Sequence, residues 1–171
     1  MTEPFHLTWT VPMEPRGKDR PRARVVPAKG KGKPFASIYN TTETEEWEKR
    51  FADATWALLG STTIPKEVPL DVAIVAVFSR PEFMSKLSKR TGTLLGGWLE
   101  RAYLHFVKPD ADNVGKIVLD ALSGWFADER VCVLRVHKFI AGMGEKRRVF
   151  VRIREATETT PDDVIRYYER K

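Results

Sequence analysis

The stretch Lys108-Pro109-Asp110-Ala111-Asp112-Asn113-Val114-Gly115-Lys116, continuing through Asp120 to Gly124, constrains this chain more than any other. Pro109 disfavours helix for Lys108, so a helix begins at the acids, with Asp110 at or just before its start and Asp112 as cap or first-turn residue. From Asp112 to Ser123 the residues Val114, Ile117, Val118, Ala121 and Leu122 gather on one face, and Gly124 is the expected stop. A helix with one apolar face has to be covered by a sheet or a second helix. Its other side carries Asp112, Lys116 and Asp120 at i, i+4 and i+8, a polar stripe. Asp128-Glu129 arrives after the glycine, just before an apolar run, and is expected to return a third acid to the same end of the helix.

The flanking segments supply that cover. Phe5, Leu7, Trp9 and Val11 alternate with polar residues as in a strand. Thr42 opens a helix with Glu45 at capping-box spacing and the stripe Trp47, Phe51, Ala54 and Leu58, ended by Gly60. Leu70 to Phe78, rich in Val and Ile, reads as a buried strand. Ser79 to Leu104 reads as a loop with short helical pieces and a second basic face from Arg80, Lys86, Lys89, Arg90 and Arg101. Val131 to Ile140 and Arg148 to Arg154 read as two strands joined by Gly142-Met143-Gly144, a hairpin. Thr160-Pro161-Asp162-Asp163 opens a short C-terminal helix at about residues 161–170. This order predicts an α/β (α+β) fold, a mixed β-sheet flanked by helices, in a single domain spanning residues 1–171.

Charge is concentrated. Between Glu14 and Pro34 stand Arg16, Lys18, Arg20, Arg22, Arg24, Lys29, Lys31 and Lys33 against Glu14 and Asp19, a surplus that equals the +6 of the whole chain. Pro15, Pro21, Pro27, Pro34, Gly17, Gly30 and Gly32 make this a long loop, with one extended stretch around Ala23 to Val26. A basic loop set in an otherwise balanced chain suits a polyanionic partner, and Lys18, Arg20, Arg22 and Arg24 are its candidate contacts to phosphates. The glycine-spaced lysines read as mobile.

Convergent carboxylates raise one another's pKa unless a cation neutralises them. Carboxylate oxygens with no cysteine set and no paired histidines favour Mg²⁺, with Mn²⁺ as substitute, over zinc. Such a site suits phosphodiester hydrolysis, and Lys116 supplies fixed positive charge where the phosphate gains negative charge. The same residues also read as an ordinary capped helix with a solvated ion-paired face, and spacing by itself does not separate the two readings.

At these residues the sequence resembles the RusA family of Holliday junction resolvases. The family's Lys-Pro-Asp-x-Asp-Asn, its lysine three residues later, its Asp-Ala-Leu-x-Gly and its acid pair before a strand stand here as Lys108 to Asn113, Lys116, Asp120 to Gly124 and Asp128-Glu129. Gly17 to Arg22 and Ser79-Arg80-Pro81 are similar to two further family segments. The resemblance implies a RusA-like fold and a homodimer that binds a four-way junction and nicks it symmetrically with magnesium. It implies Asp110, Asp112 and one later acid as catalytic metal ligands, with Lys116 as the essential lysine at the DNA. The family's Asp-Asp-x-Gln-Val stands here as Ala127-Asp128-Glu129-Arg130-Val131, after a shortened loop. If Arg130 takes the glutamine's place, the third ligand is Asp128, the preferred choice; with the gap elsewhere it is Glu129.

Two other functions fit the same residues: a flap or fork endonuclease of phage replication, and a non-catalytic junction-binding protein. No glycine-rich nucleotide loop occurs, so no nucleotide cofactor is expected. No run of about 18 apolar residues and no secretory N-terminus occur, so the expectation is a cytoplasmic protein of a bacterium or phage, without membrane contact. His6, His105 and His137 lack ligand or triad spacing, Cys132 reads as a buried strand thiol, and Trp47, Phe51, Trp125 and Phe126 read mainly as packing residues.

Overall fold

The computed structural model describes residues 5–20, 22–26, 35–157 and 160–169. Five strands form a mixed sheet in the order β1 (His6–Val11), β7 (Arg148–Glu155), β4 (Leu70–Phe78), β6 (Val131–Ile140) and β5 (Tyr103–Leu104). β4 pairs antiparallel with β7 and parallel with β6. A parallel neighbour requires a crossover, which α3 (Ala111–Ala121) supplies. Together with α1 (Thr42–Leu59), α3 packs on one face of the sheet, where Trp9, Val11, Leu70, Val72, Ile74, Val149, Val151 and Ile153 meet Phe51, Ile117, Val118 and Leu122. Burial of each such side chain contributes about 1.5–3 kcal/mol. The short α2 (Glu82–Ser85) lies between β4 and β5, and α4 (Pro161–Glu169) follows β7, as its proline and acids predict.

The expected hairpin of residues 131–140 and 148–154 does not form, because β4 lies between the two strands. The connection instead crosses the end of β4, where the Ala141 amide donates to the Phe78 carbonyl at 2.9 Å. A strand apolar at every position but Asp71 is stabilised by a neighbour on each edge, and a β6–β7 hairpin would leave β4 at the margin.

Four local readings also shift. Thr41, not Thr42, caps α1, its hydroxyl accepting from the Thr44 amide. The buried stripe of α1 is Thr44, Trp47, Phe51 and Thr55, which leaves Leu58 55% exposed; Thr55 is drawn inward by the Trp9 indole, which donates to its hydroxyl at 3.2 Å. α3 closes at Leu122, two residues before Gly124. Cys132 is exposed: the β4–β6 register steps from Leu70↔Val131 to Asp71↔Val133, so the cysteine is the extra residue of a bulge.

The basic segment is more ordered than a loop. β2 (Arg22–Val26) includes the expected extended stretch and pairs with β3 (Phe35–Tyr39) in a two-stranded ribbon separate from the main sheet. Lys29, Lys31 and Lys33 lie outside the described residues. No helix among the described residues is long and apolar enough to cross a membrane.

Candidate active site and nucleic-acid surface

The start of α3 is fixed by backbone contacts. Lys138, near the end of β6, donates its ammonium to the carbonyls of Val107, at 2.8 Å, and Pro109, which holds the turn before α3 at the C-terminal ends of β4 and β6. The Lys108–Pro109 peptide is cis. Asp110 is the N-cap residue, yet its side chain makes no capping bond, and its carboxylate is exposed. Asp112 lies in the first turn, 3.6 Å from the Lys116 ammonium, with both side chains about two-thirds exposed (65% and 64%). Two exposed carboxylates with few protein partners suit a magnesium ion, which keeps several waters and takes its remaining ligands from substrate phosphates.

Asp110 forms part of the wall of a cleft of about 660 Å³ between the start of α3 and residues 15–20. The exposed Arg20 and Lys108 make this cleft basic, while Arg16 and Lys18 line it paired with Asp19 and Asp120, and Asn113 also lines it. Gly17 permits the close approach of the two walls: a Cβ there would lie 2.3 Å from the Pro109 Cβ. Asp19 holds the arm's own shape by accepting from Arg16 at 2.8 Å and from the Thr41 hydroxyl at 2.8 Å. These bonds hold the Asp19 carboxyl below its ordinary pKa, the Arg16 guanidinium contributing most.

Of the four DNA-contact candidates, Lys18 turns inward, ion-pairing with Asp120 and lying 3.8 Å from Glu48 of α1. Burial raises the Glu48 carboxyl above its usual range, with Lys18 opposing the shift. Arg20, Arg22 and Arg24 are exposed. Arg22 and Arg24 lie on the ribbon, where the Arg24 guanidinium stands 5.4 Å over the Tyr39 ring. Of the proposed second basic face, Arg80 is engaged by the carbonyls of Met84, Leu99, Arg101 and Ala141 and acts as a structural clamp.

Asp128 and Glu129 are exposed in a short 3-10 turn leading into β6. Arg130 of that turn donates to the Val68 carbonyl at 3.3 and 3.1 Å, and to the Pro65 carbonyl, beside the start of β4. The two acid pairs therefore sit at opposite ends of α3, whose 11 residues rise about 16 Å. Within one chain, Asp128 and Glu129 do not come back to the Asp110 end, and among the described residues no group of three His, Cys, Asp or Glu is gathered to hold a metal ion.

Lys108 and Asn113, within the acidic motif, and Gly17 and Asp19, within the basic entry segment, complete the cleft, although neither segment by itself assigns these four positions a site role. The sequence shows the two segments separately; their meeting is a contact over some 90 residues. His105 stacks on Phe78 at 4.4 Å, and burial, then the nearby Lys138, keep its pKa below the ordinary imidazole value.

No curated protein matches this chain. The family model described as Endodeoxyribonuclease RusA matches residues 12–154, a span that runs from the end of β1 almost to the end of β7 and contains the arm, α3 and both acid pairs. With this match over most of its length, on a mixed sheet flanked by helices, the chain belongs to the RusA family of endodeoxyribonucleases.

Proposed function

We propose that this chain resolves Holliday junctions by paired symmetric nicks, as a magnesium-dependent homodimer acting in DNA recombination and repair in the cytoplasm of a bacterium or phage-infected cell. The observation that carries this reading is the basic cleft with Asp110 in its wall. A phosphodiester drawn in by Arg20 and Lys108 would come to lie beside Asp110, with Asp112 in the first turn of the same helix, two carboxylates that no capping bond or buried ion pair consumes.

Asp110 and Asp112 would hold Mg²⁺, or Mn²⁺ in its place, and the ion when bound would polarise the phosphate and lower the pKa of a water. Lys116 adds positive charge beside Asp112, where the phosphoryl oxygens become more negative as attack proceeds. Arg20, Arg22 and Arg24 hold the DNA backbone, while Lys18 fixes the arm that carries them. The third acid is Asp128, with Glu129 as the alternative.

The positions of the acids support dimerisation. The outer edge of β6 from Val131 to His137 has no strand partner among the described residues. Antiparallel pairing of this edge with a second copy would set the start of one β6 beside the end of the other. The Asp128 of each copy would then approach the Asp110 and Asp112 of its partner, so that two complete sites form together on a two-fold, the symmetry of a four-way junction.

The test is cleavage of an end-labelled four-way junction and a matched duplex, with and without Mg²⁺. The wild type is expected to give paired nicks in the junction alone, and Asp110→Asn to bind it without cutting. Equal cutting of flaps or forks would move the assignment to a replication-intermediate nuclease. Junction binding with no cutting under Mg²⁺ or Mn²⁺ would leave an architectural clamp.

A further inference from the structure

Phe106 is 91% exposed, more than any other large hydrophobic side chain among the described residues. It does not sit on a loose loop. On one side His105 stacks on Phe78 and donates its amide to the Lys138 carbonyl at 3.0 Å. On the other, the Val107 carbonyl accepts from the Lys138 ammonium, and the cis-linked Pro109 leads directly into the Asp110 cap. Both neighbours are anchored to the sheet, and the ring between them projects into solvent. Leu104 and Val107 extend the apolar strip, at 69% and 56% exposure, and the next residue, Lys108, lines the basic cleft.

A rigidly presented aromatic ring four residues before the acids has one suitable partner in the DNA that the cleft would take. An intact duplex buries its base faces against each other and offers the ring nothing. At a branch point the stacking is interrupted and a base face comes free, and aromatic side chains accept any base by stacking. Lys108 and Arg20 supply the positive charge that keeps a phosphate backbone alongside.

We propose that Phe106 stacks on an unstacked base at the branch point and thereby seats the adjacent phosphodiester against Asp110 and Asp112. This rests on the reading of the chain as a branched-DNA nuclease. It also gives a physical source for preference of branched over linear DNA, since only the branch satisfies the ring and the cleft together. Phe106 is in this account a positioning residue.

The experiment uses full-length protein in an Asp110→Asn background, so that junctions are bound and not cut, with 2-aminopurine placed at the branch-point step. Binding is expected to raise its fluorescence, because the base leaves its neighbours. Adding Phe106→Ala is expected to abolish the rise and Phe106→Trp to retain it. With Asp110 restored, Phe106→Ala is expected to slow junction cleavage by about 5- to 100-fold. An undiminished rise with Phe106→Ala overturns the proposal, as does sedimentation showing that this change converts a dimer to monomers, which would make the ring a contact between copies. If the Asp110→Asn protein binds no junction, the nuclease reading falls together with the proposal; if the wild type cuts junctions and only the fluorescence is unmoved by Phe106→Ala, the proposal alone falls.

Discussion

The ammonium of Lys18 is ion-paired with the carboxylate of Asp120, and the Lys18 amide donates to the Asn113 carbonyl at 2.9 Å, so the basic arm is bound to the flank of α3 at two points. The lysine side chain is 22% exposed and that of Asp120 38%. Lys18→Met is expected to destabilise the fold by about 1 kcal/mol, which for a chain of this size lowers the melting temperature by about 2–4 °C. Because its charge faces protein, the same change should leave the salt dependence of DNA binding unaltered; a shallower slope would place Lys18 on the DNA.

The arm's outward arginines should behave in the opposite way. Arg22 and Arg24 are exposed on the ribbon and contribute little to the packed core. Arg22→Ala with Arg24→Ala is expected to reduce the slope of log affinity against log salt by up to about 2, with no change in melting temperature. Fluorescence anisotropy on a junction across a salt series reads this directly.

Gly17 is sterically required. A methyl group there would meet the Pro109 Cβ at 2.3 Å and the Asn113 Cβ at 3.4 Å, and the ring of Pro109 cannot swing aside. Gly17→Ala is expected to cost about 1–3 kcal/mol and to slow cleavage by opening the cleft. Gly124→Ala is the matched control, since nothing lies within 4 Å of the added carbon. Melting curves and single-turnover rates for the two variants should diverge.

Lys116 and Asp112 face each other at 3.6 Å in solvent, and a pair so exposed contributes between about 0 and 1 kcal/mol. Lys116→Ala should therefore melt nearly as the wild type does while cutting junctions about a hundred-fold more slowly. A wild-type rate would remove Lys116 from the reaction.

The depressed pKa of Asp19 gives a pH signature. Its bonds from Arg16 and Thr41 favour the charged carboxylate in the folded state, so their contribution is present above the unfolded value, near 3.8, and is lost as pH falls through the lower folded value. Asp19→Asn is expected to melt below the wild type at pH 7, with the gap narrowing as the solution is taken below about pH 4. A gap independent of pH would assign the loss to packing.

Local pattern by itself determined much of this protein. The period of Val114, Ile117, Val118, Ala121 and Leu122 specifies α3, and Pro109 sets its start within a residue of Asp110, because helical spacing and a proline's steric demands act over a few neighbouring residues. The strands at residues 6–11, 70–78, 131–140 and 148–155 are legible for the same reason, as is the mixed sheet with helices across it. Pairing was not legible. The residues of β6 and β7 read as a hairpin by proximity in the chain, and only the gain from giving the apolar β4 two neighbours separates them. Nor does sequence distance disclose that 16 residues of chain carry Asp128 to the far end of α3 from Asp112, since the length of the helix sets that separation. The extra residue that turns Cys132 outward, the inward turn of Lys18 and the contact of Gly17 with Pro109 likewise arise only when distant segments pack, where the energy of burial and close approach outweighs local preference.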